Sequence, residues 1–360
     1  MTRGAARRPL HLLVPGDPAT PTGGYAYDRR IAEGLRDLGW SVEVISLDAS
    51  FPAPTPAALS HVDATLRSFK HGAIVVIDGL ALGAMPEVAL GHAERLNLVG
   101  LLHHPLAAET GLDAQRVRFL HACERTALRS VRHLIVTSQE TADGLAGYEV
   151  PAARVSVVEP GTDPAPLAPV TPRETLALLC VATLTPRKGH AMLLSALEGL
   201  QEWPWHLTCV GSAQRESATT AQLQRQIEVA GLDARITLAG EVSKAALDAL
   251  YHCADLYVQP SHFEGYGMAV AEALMRGLPV IATRTGAASR LVADDAGLLV
   301  TPGEPDELKA ARARVFADSV LRARLRTGAV RARKMLGSWA QAARQFDSAL
   351  QAAFGAVSHE

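Results

Sequence analysis

Strand-like and helix-like stretches alternate along nearly the whole chain, and that alternation leaves few folds open. The first part holds the apolar runs LHLLV, SVEVISL, AIVVIDG, LVGLL, HLIVTS and VSVVE, with helical segments near 26–38 and 114–130 between them. The second holds LALLCVAT, HLTCVGS, RITLAG, DLYVQPS, PVIATR and GLLVT, with helices near 190–200 and within 261–283. Short apolar strands joined by helical crossovers imply parallel pairing. Residues 160–172, PGTDPAPLAPVTP, are proline-rich and without periodicity, as an extended linker should be. The expected fold is therefore α/β, with two Rossmann-like, doubly wound parallel-sheet domains, 1–165 and 173–336. If the two face each other across a cleft, ligands belong at the carboxyl ends of the strands. A last helical stretch near 338–354 carries Trp339, Ala342, Phe346, Leu350 and Phe354 on one apolar stripe. Packing on the second domain is the simplest way to cover it.

Composition narrows the function classes. The 360 residues are 48% hydrophobic and 20% charged, which excludes a disordered chain or a coiled coil and suits a soluble protein. A net charge of −2 gives no global attraction to nucleic acid or to an anionic membrane. The helix near 116–132 is basic, with Arg116, Arg118, Arg125, Arg129 and Arg132, and reads as a solvated face before a membrane-surface site. Cys123, Cys180, Cys209 and Cys253 are widely spaced and read as reduced core residues of a cytoplasmic protein. The first apolar run is too short for a signal peptide or a membrane span.

Residues 261–283, SHFEGYGMAVAEALMRGLPVIAT, carry the densest chemistry. Ala269, Val270, Ala273 and Leu274 recur at helical spacing, stopped by Gly277 and Pro279. Gly265 and Gly267 fall at the helix start, where free amides and the macrodipole favour an anion. Glu264 lies in the loop, and Glu272 about two turns into the helix, roughly 8–12 Å further on. Two carboxylates so placed can hold opposite ends of an extended ligand. Ordinary loop and surface glutamates would share that spacing, but the apolar surroundings of Glu272 predict burial and hence a partner.

Further candidates sit where strands end. Arg187 and Lys188, in CVATLTPRKGH, can neutralise a pyrophosphate at the mouth between a strand and a helix. Gly23 and Gly24 lie in the loop after the first strand, PGDPATPTGGYAYDRR, with Asp17, Tyr25 and Tyr27 nearby as candidate ligand contacts. An ordinary turn would use the same glycine pair. His103 and His104 end the strand LVGLL, and neighbours in an extended segment point to opposite faces. No other histidine or carboxylate stands at metal-ligand spacing from them, so no metal is expected there.

With these pieces in place, the chain resembles the retaining glycosyltransferases of family 4. The resemblance covers nearly the whole chain and is strongest in PSHFEGYGMAVAEALMRGLPVIAT, whose Glu264 and Glu272 match that family's two-glutamate motif. It implies the GT-B fold, with 337–360 as a last helix crossing back to the N-terminal domain, and a nucleotide-diphosphate sugar (UDP- or GDP-sugar) as donor. It implies catalytic roles for His103, Glu264 and Lys188, with Gly23, Gly24, Thr183, Arg187, Lys188, Gly211, Glu264, Gly265, Tyr266, Gly267, Met268 and Glu272 around the donor. Tyr25, Tyr27 and His104 fall to the acceptor, a hydroxyl of a glycan, lipid or small metabolite. No cofactor and no metal are implied. Two positions depart from the family: Thr183 stands where an arginine is usual, and Gly286, Ala287, Ser289 and Arg290 replace its Gly-Gly turn, proline and glutamate. Those departures keep a second reading open, a non-catalytic sugar-nucleotide-binding partner protein on the same fold.

Overall fold

The apolar runs form two six-stranded sheets in which every paired neighbour is parallel. A computed structural model describes residues 8–170, 173–200 and 203–355. The first sheet contains β1 (Arg8–Pro15), β2 (Trp40–Leu47), β3 (Ile74–Asp78), β4 (Asn97–Leu102), β5 (His133–Val136) and β6 (Val155–Val157). The second contains β7 (Leu176–Val181), β8 (Trp205–Val210), β9 (Ile236–Gly240), β10 (Leu256–Gln259), β11 (Val280–Thr283) and β12 (Gly297–Val300). The chain separates into two units, Met1–Gly161 with Gly337–Glu360, and Thr162–Leu336.

Strand order places the functional ends. The first sheet runs β2-β1-β3-β4-β5-β6 and the second β12-β11-β10-β7-β8-β9. In each sheet the chain moves outward from one strand, then returns past it and continues in the opposite direction. The reversal falls between β1 and β3 in the first sheet and between β7 and β10 in the second. Crossovers leave such a pair to opposite faces, opening a crevice beyond the carboxyl ends. Asp78 closes β3, and Gln259 closes β10.

Both sheets are covered on both faces. In the first unit one core gathers Leu66, Ile77, Leu98 and Leu134, and the other gathers Tyr27, Ile31, Leu35, Val76 and Ile135. The final helix, Trp339–Phe354, adds Ala342, Phe346, Ala349 and Leu350 to this second core, so its apolar stripe is covered by the first unit rather than the second. It starts at a capping box, Ser338 with Gln341, and lies so close to the helix Gly23–Asp37 that a Cβ on Gly34 would stand 2.5 Å from Ala343 Cβ. Trp40 Nε1 donates to Asp347 Oδ1 at 3.0 Å across the same seam.

Several expectations need correction. The stretch after residue 160 is extended but not free: Ala168 N donates to Arg276 O, and Arg333 and Arg326 donate to the carbonyls of Ala165 and Ala168. Thr171 and Pro172 of the expected linker lie outside the described residues. Gly23 and Gly24 are not in a loop but form the first turn of their helix, capped by Thr22. Only Cys180 and Cys209 are core residues, whereas Cys253 is exposed and Cys123 half-buried. The helix after the glycine turn is only eight residues long, Met268–Met275, so Glu272 lies one turn in rather than two. Among the described residues, no helix is long and apolar enough to cross a membrane.

Candidate functional site

At the β7/β10 reversal, the second unit builds a buried charge pair. β7 ends in a loop whose short turn Pro186–Lys188 is closed by Gly189 at φ +69°. A Cβ there would fall 2.0 Å from Pro260 O, so only glycine lets this turn lie against the end of β10. The contact brings Lys188 Nζ to 2.7 and 2.8 Å from the two oxygens of Glu264. Gln259 Nε2 and Ser261 Oγ donate to Glu264 Oε1 at 2.7 and 2.6 Å, and Tyr257 OH donates to Gln259 Oε1. Arg187 is held by the same loop, donating to Phe263 O at 3.1 Å.

Electrostatics follow from this crowding. Burial alone would raise the Glu264 carboxyl, but Lys188 and Arg187 outweigh it and hold it down at about 2. Burial also lowers the Lys188 ammonium, more than Glu264 raises it. The pair is thus a carboxylate and an ammonium locked together, with Oε1 taken up by three donors and Oε2 by Lys188 alone. Two of the ammonium's three protons point at Glu264, which leaves one for a ligand.

The glycine turn completes this region. Gly267, at φ +96°, precedes Met268–Met275, and its carbonyl accepts from Val270 N and Ala271 N. The amides of Met268 and Ala269 at the helix start remain the outward-facing ones. Gly265 and Glu264 are crossed by the turn at Gly286, whose added Cβ would meet Glu264 O at 2.5 Å. The Tyr266 side chain is buried against Ala271 and Ala287, so of this residue only the backbone is left for a ligand. Gly211 (φ +150°) has no room for a Cβ, with Ala182 O at 2.1 Å, and Thr183 is half-buried beside it. Ser289 and Arg290 are exposed.

Glu272 is half-buried and has the partner that the sequence reasoning demanded. Tyr251 OH donates to its Oε2 at 2.9 Å, and burial pushes the carboxyl up against the opposing pull of Tyr251 and Arg276. Arg276 stacks over the Tyr251 ring at 4.4 Å and pairs with Asp248.

The first unit builds a different cluster at its own reversal. His103 follows β4 directly, and its Nε2 lies 3.1 Å from Asp28 Oδ1 and 3.4 Å from Asp78 Oδ2. Asp28 comes from the helix Gly23–Asp37, while Asp78 caps the turn after β3 by accepting from Leu80 N. The Tyr27 ring meets the imidazole edge-on at 5.4 Å, and a Cβ on Gly24 would sit 3.4 Å from it. Burial pulls the imidazole down, but the two carboxylates dominate and raise it to about 10; burial raises Asp28 to about 6.

Several acceptor candidates are placed elsewhere. Tyr27 is fully buried, its hydroxyl donating to Val158 O at 2.9 Å, so it supports the core rather than touching a ligand. Tyr25 OH donates to Pro15 O at 2.6 Å, and Asp17 turns its own loop by accepting from Ala19 N. His104 points away from His103, towards Glu109 at 3.6 Å. On the basic helix, Arg125 and Arg129 both pair with Glu149.

Sequence reasoning missed Asp28, Asp78, Gln259 and Ser261. Spacing along the chain suggested no carboxylate near His103, yet the fold brings two, with ligand atoms of all three residues within 4.8 Å of one another. Both carboxylates converge on one imidazole nitrogen, which suits an N–H donor shared between them rather than a lone pair offered to a cation. A signal did exist for Asp78 and Gln259: each is a polar residue ending an apolar strand, in VVID and LYVQ.

Comparison with known proteins bears on the family and the fold. The family model for "Glycosyltransferase Family 4" matches residues 23–166, and that for "Glycosyl transferases group 1" matches residues 168–331. A D-inositol 3-phosphate glycosyltransferase from Xylanimonas cellulosilytica is 31% identical over 58% of this chain and 54% of its own. An MMP alpha-(1->4)-mannosyltransferase from Mycolicibacterium hassiacum is 27% identical over 61% of this chain and 56% of its own. The chain thus spans about half the length of the relatives it matches. Among solved structures, sucrose-phosphate synthase from Thermosynechococcus elongatus superposes with a TM-score of 0.82 at 21% identity, covering 97% of this chain and 100% of that one. Anabaena HepE, solved with UDP and glucose, gives 0.74 at 21% identity over 96% and 100%. At such identities the likeness shows the fold, which is GT-B.

Proposed function

This chain belongs to glycosyltransferase family 4, and on that premise we propose that it moves a sugar from a nucleoside-diphosphate sugar to an acceptor hydroxyl, with retention at the anomeric carbon and without a divalent metal. The observation that carries this reading is the Lys188–Glu264 pair at the β7/β10 reversal, beside a helix that starts at glycine. An anionic diphosphate needs fixed positive ends where its negative charge grows. The third Lys188 proton and the amides of Met268 and Ala269 supply them, in the place a metal would otherwise take. Glu264, fixed by four hydrogen bonds, holds the donor sugar, and Glu272 holds the ribose hydroxyls with the oxygen that does not face Tyr251.

In the transfer itself, the bond from the anomeric carbon to the diphosphate oxygen breaks and the acceptor oxygen bonds to the same face. The acceptor proton passes to the leaving diphosphate, so no protein nucleophile is needed. His103 donates a hydrogen bond to a hydroxyl of the reacting sugar. The acceptor is a hydroxyl-bearing glycan, lipid or small metabolite.

The test is calorimetry with UDP, GDP, ADP and dTDP and their sugars, in chelator, followed by sugar transfer. One diphosphate should bind without metal, and Glu264→Ala should cut transfer by about 100-fold or more while diphosphate binding changes far less. If no nucleotide binds, the donor reading falls. If a nucleotide sugar binds but no acceptor is ever glycosylated, the binding-protein alternative replaces the enzyme.

A further inference from the structure

We propose that Asp28 and Asp78 are positioning residues that keep His103 an imidazolium, so that its second nitrogen, Nδ1, is a hydrogen-bond donor to an oxygen ligand and never an acceptor.

The argument starts from which nitrogen is occupied. Nε2 faces both carboxylates, at 3.1 and 3.4 Å, and two acceptors facing one nitrogen call for an N–H there. Nδ1 makes no hydrogen bond to any described residue, and the His103 side chain is 19% exposed, so this nitrogen is the one a ligand meets. With Nε2 protonated, a neutral ring would present a lone pair at Nδ1, and a charged ring presents an N–H. The two carboxylates therefore choose the polarity of the ligand contact without touching the ligand.

Charge balance in the cluster supports the charged ring. Asp28 and Asp78 side chains are each 2% exposed, and Asp28 Oδ2 has no hydrogen-bond partner among the described residues. Two buried carboxylates with one neutral imidazole would leave a charge of −2 away from water, which costs far more than −1. The charged groups acting on this site are few: Asp28 and the neighbouring Arg29 from the helix Gly23–Asp37, and Asp78 from the end of β3. The hydroxyls of Thr137 and Thr141 donate to the His103 carbonyl, fixing the backbone rather than the ring's charge. The Tyr27 ring packs edge-on against the imidazole, and Gly24 lies close enough that an added Cβ would touch it.

That an oxygen of the reacting sugar is the ligand rests on the function proposed above; the charge of His103 does not. The test has two readouts on the full chain. Without any substrate, NMR of the His103 ring follows its titration in the native protein, in Asp28→Asn and in Asp78→Asn. The native ring should stay protonated well above about pH 8, and each variant should lower the midpoint by about 1–3 units. With nucleotide sugar and acceptor, kcat of Asp28→Asn should fall at alkaline pH and recover towards native at about pH 6, where the variant's ring is charged again. A loss that is only structural would not be recovered by acid.

A native midpoint at or below the ordinary value of 6.5 would overturn the proposal, as would a kcat loss in Asp28→Asn that is equal at every pH. If both variants fail to fold, the native titration decides. If the native ring titrates high but no sugar is transferred, the imidazolium stands and the transferase reading falls.

Discussion

The two units place a buried cation at the same point of the same fold, where the strand order reverses, but they balance it differently. In the second unit one ammonium meets one carboxylate, with neutral donors Gln259 and Ser261 filling the remaining capacity. In the first, one imidazole meets two carboxylates, and one carboxylate oxygen is left over. A balanced pair holds its protons across the neutral range and serves as a fixed electrostatic wall. An unbalanced one can exchange a proton as conditions change. Topology selects the location of a charged site, and the local count of charges selects what it can do.

The largest test breaks the balanced pair. Lys188→Met or Glu264→Ala each leaves a buried charge alone, and each should cost about 3–5 kcal/mol in urea unfolding. The double variant should cost much less than the two together, because the second change removes an orphan charge rather than a partner. Additive losses would mean that the pair is not coupled.

A third buried charge sharpens the comparison, since it has no counterion among the described residues. Arg312, on the helix Pro305–Ala317, is 2% exposed with no partner for any guanidinium nitrogen among the described residues, and burial lowers it to about 10. Its neighbours on the helix, Leu308, Val315 and Phe316, belong to the apolar core of the second unit. Arg312→Leu should therefore stabilise the protein by about 1–4 kcal/mol. A loss of stability would show that the guanidinium has a role that its surroundings do not reveal.

The smallest effect is in the pH profile of native stability, where the two sites act in opposite directions. The Glu264 carboxyl is depressed, so its contribution is present above the ordinary value of 4.5 and fades as pH falls towards about 2. The His103 imidazole is raised, so its contribution is full below 6.5 and fades as pH rises towards about 10. Urea midpoints across pH should thus decline at both ends. Lys188→Met should flatten the acid limb and Asp28→Asn the alkaline one.

Much of this protein is legible in its residues taken in order. Alternating apolar runs and helical segments dictate parallel sheets, since a right-handed crossover needs a helix between strands. The glycine turn, Glu264 and Lys188 stand out because they combine special backbone geometry with charge at the ends of apolar strands. Gly189 and Gly286 are required for reasons that the sequence only hints at, a carbonyl 2.0–2.5 Å from where a Cβ would stand.

What only the tertiary structure decided is which charges meet. Lys188 and Glu264 are 76 residues apart in sequence, and His103 and Asp28 are 75 apart. Nothing in local spacing distinguishes Asp28 or Asp78 from a solvated aspartate, or Tyr27 from a ligand contact. Periodicity reports on neighbours along one element, at a few ångströms per residue, and so it determines strands, helices and turns. A buried ion pair depends on which strand ends the crossovers bring side by side and on how far water is excluded there. Both are properties of the assembled sheet rather than of any stretch of chain.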